Sequence, residues 1–179
     1  IKEKKPESCE DLMALKIDDG HSVEENLKTL SGVMGEKLVI KRSDVLAGST
    51  VVAYSHIGGR IGVLVALDKP QMNELAADIA MQVAAANPKY ISSSDVPADE
   101  IEKEKEIYRE QLQKEGKPAF ANAAAGRPDN MIEKILEGKL SKYYEEVCLL
   151  NQEYIKDDKK KVKDILGDIK VERFVRYSL

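Results

Sequence analysis

The sequence predicts an α+β fold, an antiparallel three-stranded sheet packed with helices, with a partly duplicated core and an inserted antiparallel helical hairpin. Three observations carry that expectation. Two apolar, β-branched runs flank a glycine pair in Tyr54-Ser55-His56-Ile57-Gly58-Gly59-Arg60-Ile61-Gly62-Val63-Leu64-Val65, and two glycines supply the positive φ angles of a tight hairpin turn. Apolar residues then recur at helical spacing through Met72, Leu75, Ala76, Ile79, Ala80 and Val83, a stripe suited to lying on a sheet. From Ser92 to Tyr144 the composition turns strongly charged and holds two further helical patterns separated by glycine and proline. With 179 residues the chain can bury a substantial core.

In chain order, Cys9, Leu12, Met13 and Ile17 follow helical spacing, and Ser22-Val23-Glu24-Glu25 has the form of a capping box. There the Ser oxygen and the Glu carboxylate satisfy free backbone donors. The helix that follows shows Val23, Leu27, Leu30 and Met34 on one side. Strands are expected at 37–44, 49–57 and 60–67 as an antiparallel meander, closed by Pro70. A loop at Gly58-Gly59 sets Tyr54 opposite Val63, Val52 opposite Val65 and His56 opposite Ile61, so one face is bulky. On the other face Ser55 meets Gly62, and that face is nearly bare. A strand glycine marks either a turn irregularity or a place where another backbone approaches closely. Residues 71–86 are then an amphipathic helix laid on the sheet.

Asp95-Val96-Pro97 opens the next helix, whose Ile101, Tyr108 and Leu112 form a thin apolar seam. A breaker region, 116–128, contains Ala123-Ala124-Ala125-Gly126. The second helix has a fuller stripe through Met131, Ile132, Ile135, Leu136, Leu140, Tyr143, Tyr144 and Val147. That stripe exceeds what the thin seam covers, so Met131, Ile135 and Leu136 are expected to contact something else; the alternative is two ordinary core helices. The expected division is 1–91 for a first core subdomain, 92–147 for the helical insertion and 148–179 for the remainder of a second core subdomain. Lys163-Asp164-Ile165-Leu166-Gly167 echoes Lys28-Thr29-Leu30-Ser31-Gly32, and Val171-Glu172-Arg173 echoes Ile40-Lys41-Arg42. A helix leading into a similar strand thus occurs twice, and the last strand needs other segments to complete its sheet.

Chemistry-bearing patterns are sparse. A net charge of −4 gives no overall electrostatic reason to bind nucleic acid, and the clusters Lys2 to Lys5 and Lys159 to Lys163 are interleaved with acids as solvated faces. No apolar run approaches the ~20 residues of a membrane span. Cys9 and Cys148 lack redox or zinc spacing and are expected as small buried residues of a reducing cytoplasm. Neither His21 nor His56 stands beside a recognisable nucleophile. Gly58-Gly59-Arg60-Ile61-Gly62 superficially resembles a phosphate loop, but a strand follows where a P-loop needs Lys-Ser/Thr opening a helix. No cofactor and no metal site is expected.

Several segments in order resemble one family. The hairpin above, Asp78-Ile79-Ala80-Met81-Gln82-Val83-Ala84-Ala85-Ala86-Asn87-Pro88-Lys89-Tyr90, Tyr143-Tyr144-Glu145-Glu146-Val147-Cys148-Leu149-Leu150-Asn151-Gln152 and the closing Arg173-Phe174-Val175-Arg176-Tyr177 closely resemble bacterial elongation factor Ts, over nearly the whole chain. The resemblance implies a cytoplasmic guanine-nucleotide exchange factor that promotes GDP release from elongation factor Tu by protein contact, without covalent chemistry. It implies partner contacts at Arg60, Ile61 and Gly62 and at Gln82, which falls where the family often has His. For Ile61, packing on His56 is the other reading. The helical hairpin would project toward the GTPase or a second subunit, giving a homodimer; no direct nucleic-acid or membrane contact is implied. The other function class is a helical-hairpin interaction or dimerisation module without exchange activity; a hydrolase using His56 is a third. The family's Thr-Asp-Phe-Val motif is absent from Ile1 to Leu179, so a fragment of a longer protein is expected.

Overall fold

A computed structural model describes residues 5–17, 20–115 and 129–179. The chain forms two compact units, Ile1–Ala47 and Gly48–Leu179. Lys2 to Lys4 and the breaker region expected at 116–128 lie outside the described residues.

In the first unit, helix α1 spans Cys9–Ala14 and is capped by the Ser8 hydroxyl, which accepts the Asp11 amide at 3.0 Å. Ile17 falls outside it and is exposed. Helix α2, Val23–Met34, starts on the expected capping box: Ser22 Oγ accepts the Glu25 amide at 3.1 Å, and the Glu25 carboxylate accepts the Ser22 amide at 2.7 Å. Gly35 ends the helix at φ 71°, the left-handed conformation that glycine adopts without a Cβ penalty. On α2, Val23 and Leu27 are half-buried, and Leu30, Val33 and Met34 are exposed.

The expected strand at 37–44 does not form; these residues carry no regular structure. Leu38-Val39-Ile40 is a short apolar run between Lys37 and Lys41-Arg42, without the alternation that gives a strand one buried face. The helix-to-strand echo therefore holds for its helical half in the first copy and for both halves in the second.

The second unit contains strands β1 (Thr50–His56) and β2 (Ile61–Leu67), helices α3 (Asn73–Ala86), α4 (Ala98–Glu115) and α5 (Asp129–Val147), a short hairpin of β3 (Glu153–Tyr154) and β4 (Asp157–Lys161), helix α6 (Val162–Leu166) and strand β5 (Val171–Ser178). The sheet is antiparallel with order β1-β2-β5. The expected α+β class and three-stranded antiparallel sheet therefore hold, but the third strand is the last strand of the chain. β2 is thus the central strand, with α3 on one face and a partner on each edge.

The β1–β2 register matches the expected one residue for residue: Val52 pairs with Val65, Tyr54 with Val63, Ser55 with Gly62 and His56 with Ile61. Gly58 and Gly59 both have positive φ, and the Arg60 amide donates to Ile57 O at 3.3 Å to close the turn.

Val63, Val65 and Leu67 of β2 pack on Ala76, Ile79, Ala80 and Val83 of α3, joined by Leu149, Val162 and Leu166. Each fully buried Val, Leu or Ile among these contributes roughly 1.5–3 kcal/mol. The Arg176 guanidinium, from β5, donates to Ala84 O near the end of α3 at 3.3 and 3.4 Å, satisfying a carbonyl that the helix end leaves unpaired. A second, smaller cluster of Val96, Tyr143, Val147 and Cys148 lies at the root of α4 and α5. There burial pushes the Cys148 thiol up to about 11, so it stays protonated and inert. No described helix is long and apolar enough to cross a membrane.

Candidate functional site

Alternation divides the sheet into two faces. The core face carries Val52, Tyr54 and His56 of β1 with Ile61, Val63 and Val65 of β2. The other face pairs Ser55 with Gly62 and Tyr177, and Ala53 with Leu64 and Val175. Ala53, Ser55 and Gly62 are exposed, and Leu64, Val175 and Tyr177 are half-buried. A Cβ placed on Gly62 would meet nothing within 4 Å, so this small-residue, largely apolar face is open at its hairpin end.

The expected contact residues fall in different places. Arg60 is exposed at the turn and Gly62 sits in the open face. Ile61 points the other way, half-buried at the edge of the core cluster and opposite His56. The His56 imidazole lies 2.9 Å, Nδ1 to Oη, from the Tyr54 hydroxyl, which fixes the ring along the strand.

Gln82 is not a surface residue: it is 1% exposed. Its Nε2 donates to Gln152 Oε1 at 3.2 Å and to Glu153 O at 3.1 Å, while its Oε1 accepts the Ile155 amide at 2.9 Å. Gln152 Nε2 in turn donates to Glu146 O at 3.0 Å. One helical turn earlier, Asp78 accepts from the Tyr154 hydroxyl at 2.8 Å and from Lys156 Nζ at 2.6 Å. Burial pushes the Asp78 carboxyl up, but these two hydrogen bonds outweigh it and leave the group below its ordinary range. Burial and the Asp78 charge push Tyr154 up to about 12. Asp78 and Gln82 thus grip the β3–β4 turn from one face of α3. The position expected to touch a partner is an internal clasp, because its amide has three polar partners in a site closed to water.

Helices α4 and α5 lie against one another. Glu100 accepts from the Tyr143 hydroxyl at 2.5 Å, and further along α4 Lys139 Nζ sits 5.3 Å from the Tyr108 ring centroid and donates to Gln111 at 3.2 Å. The order of these pairs is antiparallel. Of the residues expected to meet something beyond α4, Leu136 is 6% exposed and is already covered, Ile135 is half-buried, and the side chain of Met131 lies outside the described ones.

Sequence reading missed the Glu100 carboxylate, which also accepts from the Tyr90 hydroxyl at 2.6 Å and lies 3.6 Å from Lys89 Nζ. The Tyr143 and Tyr90 hydroxyls hold Glu100 below the ordinary carboxylate range. Burial and the Glu100 charge push Tyr143 well up; Glu100 and burial raise Tyr90. A depressed folded-state pKa means stability that is present above the unfolded-state value and lost as pH falls through the folded one. Acidification below pH ~4 should therefore loosen the root of α4, and Glu100→Gln should flatten that part of the acid limb in thermal unfolding followed across pH. An acid limb identical in variant and wild type would show that Glu100 is not a clamp.

The class these features describe is an α+β protein with an open sheet face and a pair of long charged helices; among the described residues no group of three or more His, Cys, Asp and Glu could hold a metal ion. The match to the family model for elongation factor TS runs over residues 1–179, and the chain belongs to that family of translation elongation factors. It is 43% identical over 188 residues to an elongation factor Ts of Prosthecochloris aestuarii, covering 96% of this chain and 62% of the relative. It is 45% identical over 188 residues to that of Chlorobium limicola, with the same coverage, 96% and 62%. To that of Nitratiruptor it is 42% identical over 190 residues, covering 97% and 59%. The chain thus spans about three fifths of the length of these relatives.

Proposed function

We propose that this chain is a guanine-nucleotide exchange element that promotes GDP release from elongation factor Tu by protein contact. The observation that carries the reading is the open sheet face, where the bare Gly62 between Ser55 and Tyr177 leaves room for a partner side chain beside Leu64 and Val175. Arg60 and Gly62 are the direct contacts, and Ile61 contributes its exposed edge. Gln82 acts from behind the surface by holding the β3–β4 turn. The helices α4 and α5 form the inserted hairpin, reaching the GTPase or a second copy of the chain through Ile135 and Met131.

No covalent step is required. A factor that binds the nucleotide-free GTPase more tightly than the GDP-bound form must lower GDP affinity by the same ratio. Family membership supports this reading.

Release of labelled GDP from elongation factor Tu tests the reading, with this chain compared with a full-length elongation factor Ts. The chain should bind the nucleotide-free GTPase weakly and accelerate release poorly, because the family's Thr-Asp-Phe-Val motif is absent from its sequence. Full-rate release would overturn that division of labour. Binding with no acceleration at all would favour an interaction module built on α4 and α5, whose antiparallel side-chain pairs are the feature that supports it.

A further inference from the structure

Ile57 breaks a local rule at the tip of the β1–β2 hairpin. Its φ is 49°, in the left-handed region, and the positive angles continue through Gly58 at 62° and Gly59 at 91°. A β-branched side chain in that region is a conformational outlier, since its Cβ crowds the following carbonyl. The residue gains no burial in exchange: Ile57 is 61% exposed. Single exposed apolar residues are ordinary on protein surfaces; an exposed one held in a costly backbone state is not.

The hairpin beneath it is firmly held. His56 pairs with Ile61, the Tyr54 hydroxyl meets His56 Nδ1, and the Leu179 amide donates to Arg60 O at 3.0 Å. The turn therefore presents Ile57 on a rigid stalk beside the exposed Arg60 and next to the Ser55–Gly62 end of the open face. Strain of this kind persists where surrounding structure imposes it, and it concentrates at binding and switch positions.

We propose that Ile57 is an anchor residue of the partner interface, an apolar knob that enters an apolar pocket on the GTPase while Arg60 meets an acidic group at the pocket's edge. This rests on the exchange reading and adds to it a residue outside the Arg60-Ile61-Gly62 set. An apolar anchor buried in a partner's pocket gains affinity, and one presented on a rigid element loses little entropy on docking.

The experiment compares wild type, Ile57→Asn and Ile57→Leu for binding to nucleotide-free elongation factor Tu and for thermal unfolding of the free chain. Asn tolerates the left-handed conformation and removes the knob. It should leave the unfolding temperature unchanged or raised while weakening binding roughly tenfold or more, the loss expected for one buried aliphatic side chain. Leu should keep the affinity within about threefold, as a volume-conserving swap does. Equal binding by wild type and Ile57→Asn would overturn the anchor and leave the exchange reading standing. Unfolding of Ile57→Asn would also overturn it, because the side chain would then be packed in the free protein. If wild type itself fails to bind the GTPase, the exchange reading falls and the anchor with it.

Discussion

Gly62→Leu should weaken binding to elongation factor Tu by roughly five- to a hundredfold while the free chain keeps its fold. The glycine does not have a positive φ, so a leucine backbone fits the strand without strain. A Cβ there meets nothing within 4 Å, and the side chain would project from the open face beside Ser55 and Tyr177. Glycine inside a strand costs about 0.5–1 kcal/mol in conformational freedom, so the variant should be as stable as wild type or slightly more so. At the interface the same side chain occupies the space the partner needs; overpacking costs about 1–3 kcal/mol, and each 1.4 kcal/mol is a factor of ten. Affinity by calorimetry and unfolding temperature on one preparation separate the two effects. Lost stability with intact binding would mean that this face is covered in the free protein and that the contact lies elsewhere.

What could be read from residues alone follows the range of the forces involved. The β1–β2 register and the α2 capping box depend on residues within a few positions, and both are as the spacing predicts. The third strand depends on a choice between two distant segments. The run at 37–44 and β5 are both short and partly charged, and β5 is favoured because Phe174, Val175 and Tyr177 give side chains to both faces of the sheet next to β2. The missing alternation at 37–44 is a local signal against a strand there, but the pairing of β5 with β2, more than a hundred positions apart, is not encoded locally. The β3–β4 hairpin was missed for a related reason: Glu153–Tyr154 is too short to show alternation, and its geometry is imposed by hydrogen bonds from α3.

The contact face was legible in part. A bare Ser55–Gly62 pair follows from the register, and the register follows from the glycine turn. Gln82 entered the expected contacts through the family resemblance, and in the free chain it is buried. It lies three residues after Ile79 and next to Val83, on the flank of the apolar stripe of α3, where a polar group is either solvent-facing or buried with partners. Which of these holds depends on Gln152 and Glu153, some seventy positions away.

Gln82→Leu is therefore expected to act on stability first. Leucine keeps the volume but removes the amide, which leaves the Ile155 amide, the Glu153 carbonyl and the Gln152 carboxamide each short of a partner. An unsatisfied buried polar group costs about 1–3 kcal/mol. Some of these groups will reach water as the turn loosens, so a net loss of about 2–4 kcal/mol is expected, or roughly 5–15 °C in unfolding temperature for a domain of this size. Gln82→His should fall between leucine and wild type, since an imidazole offers one donor and one acceptor where the carboxamide makes three hydrogen bonds. Binding to elongation factor Tu should decline only as far as the β3–β4 turn is released. A Gln82→Leu chain that melts like wild type yet no longer binds the GTPase would reverse this assignment, making the side chain a contact that leaves the interior on docking.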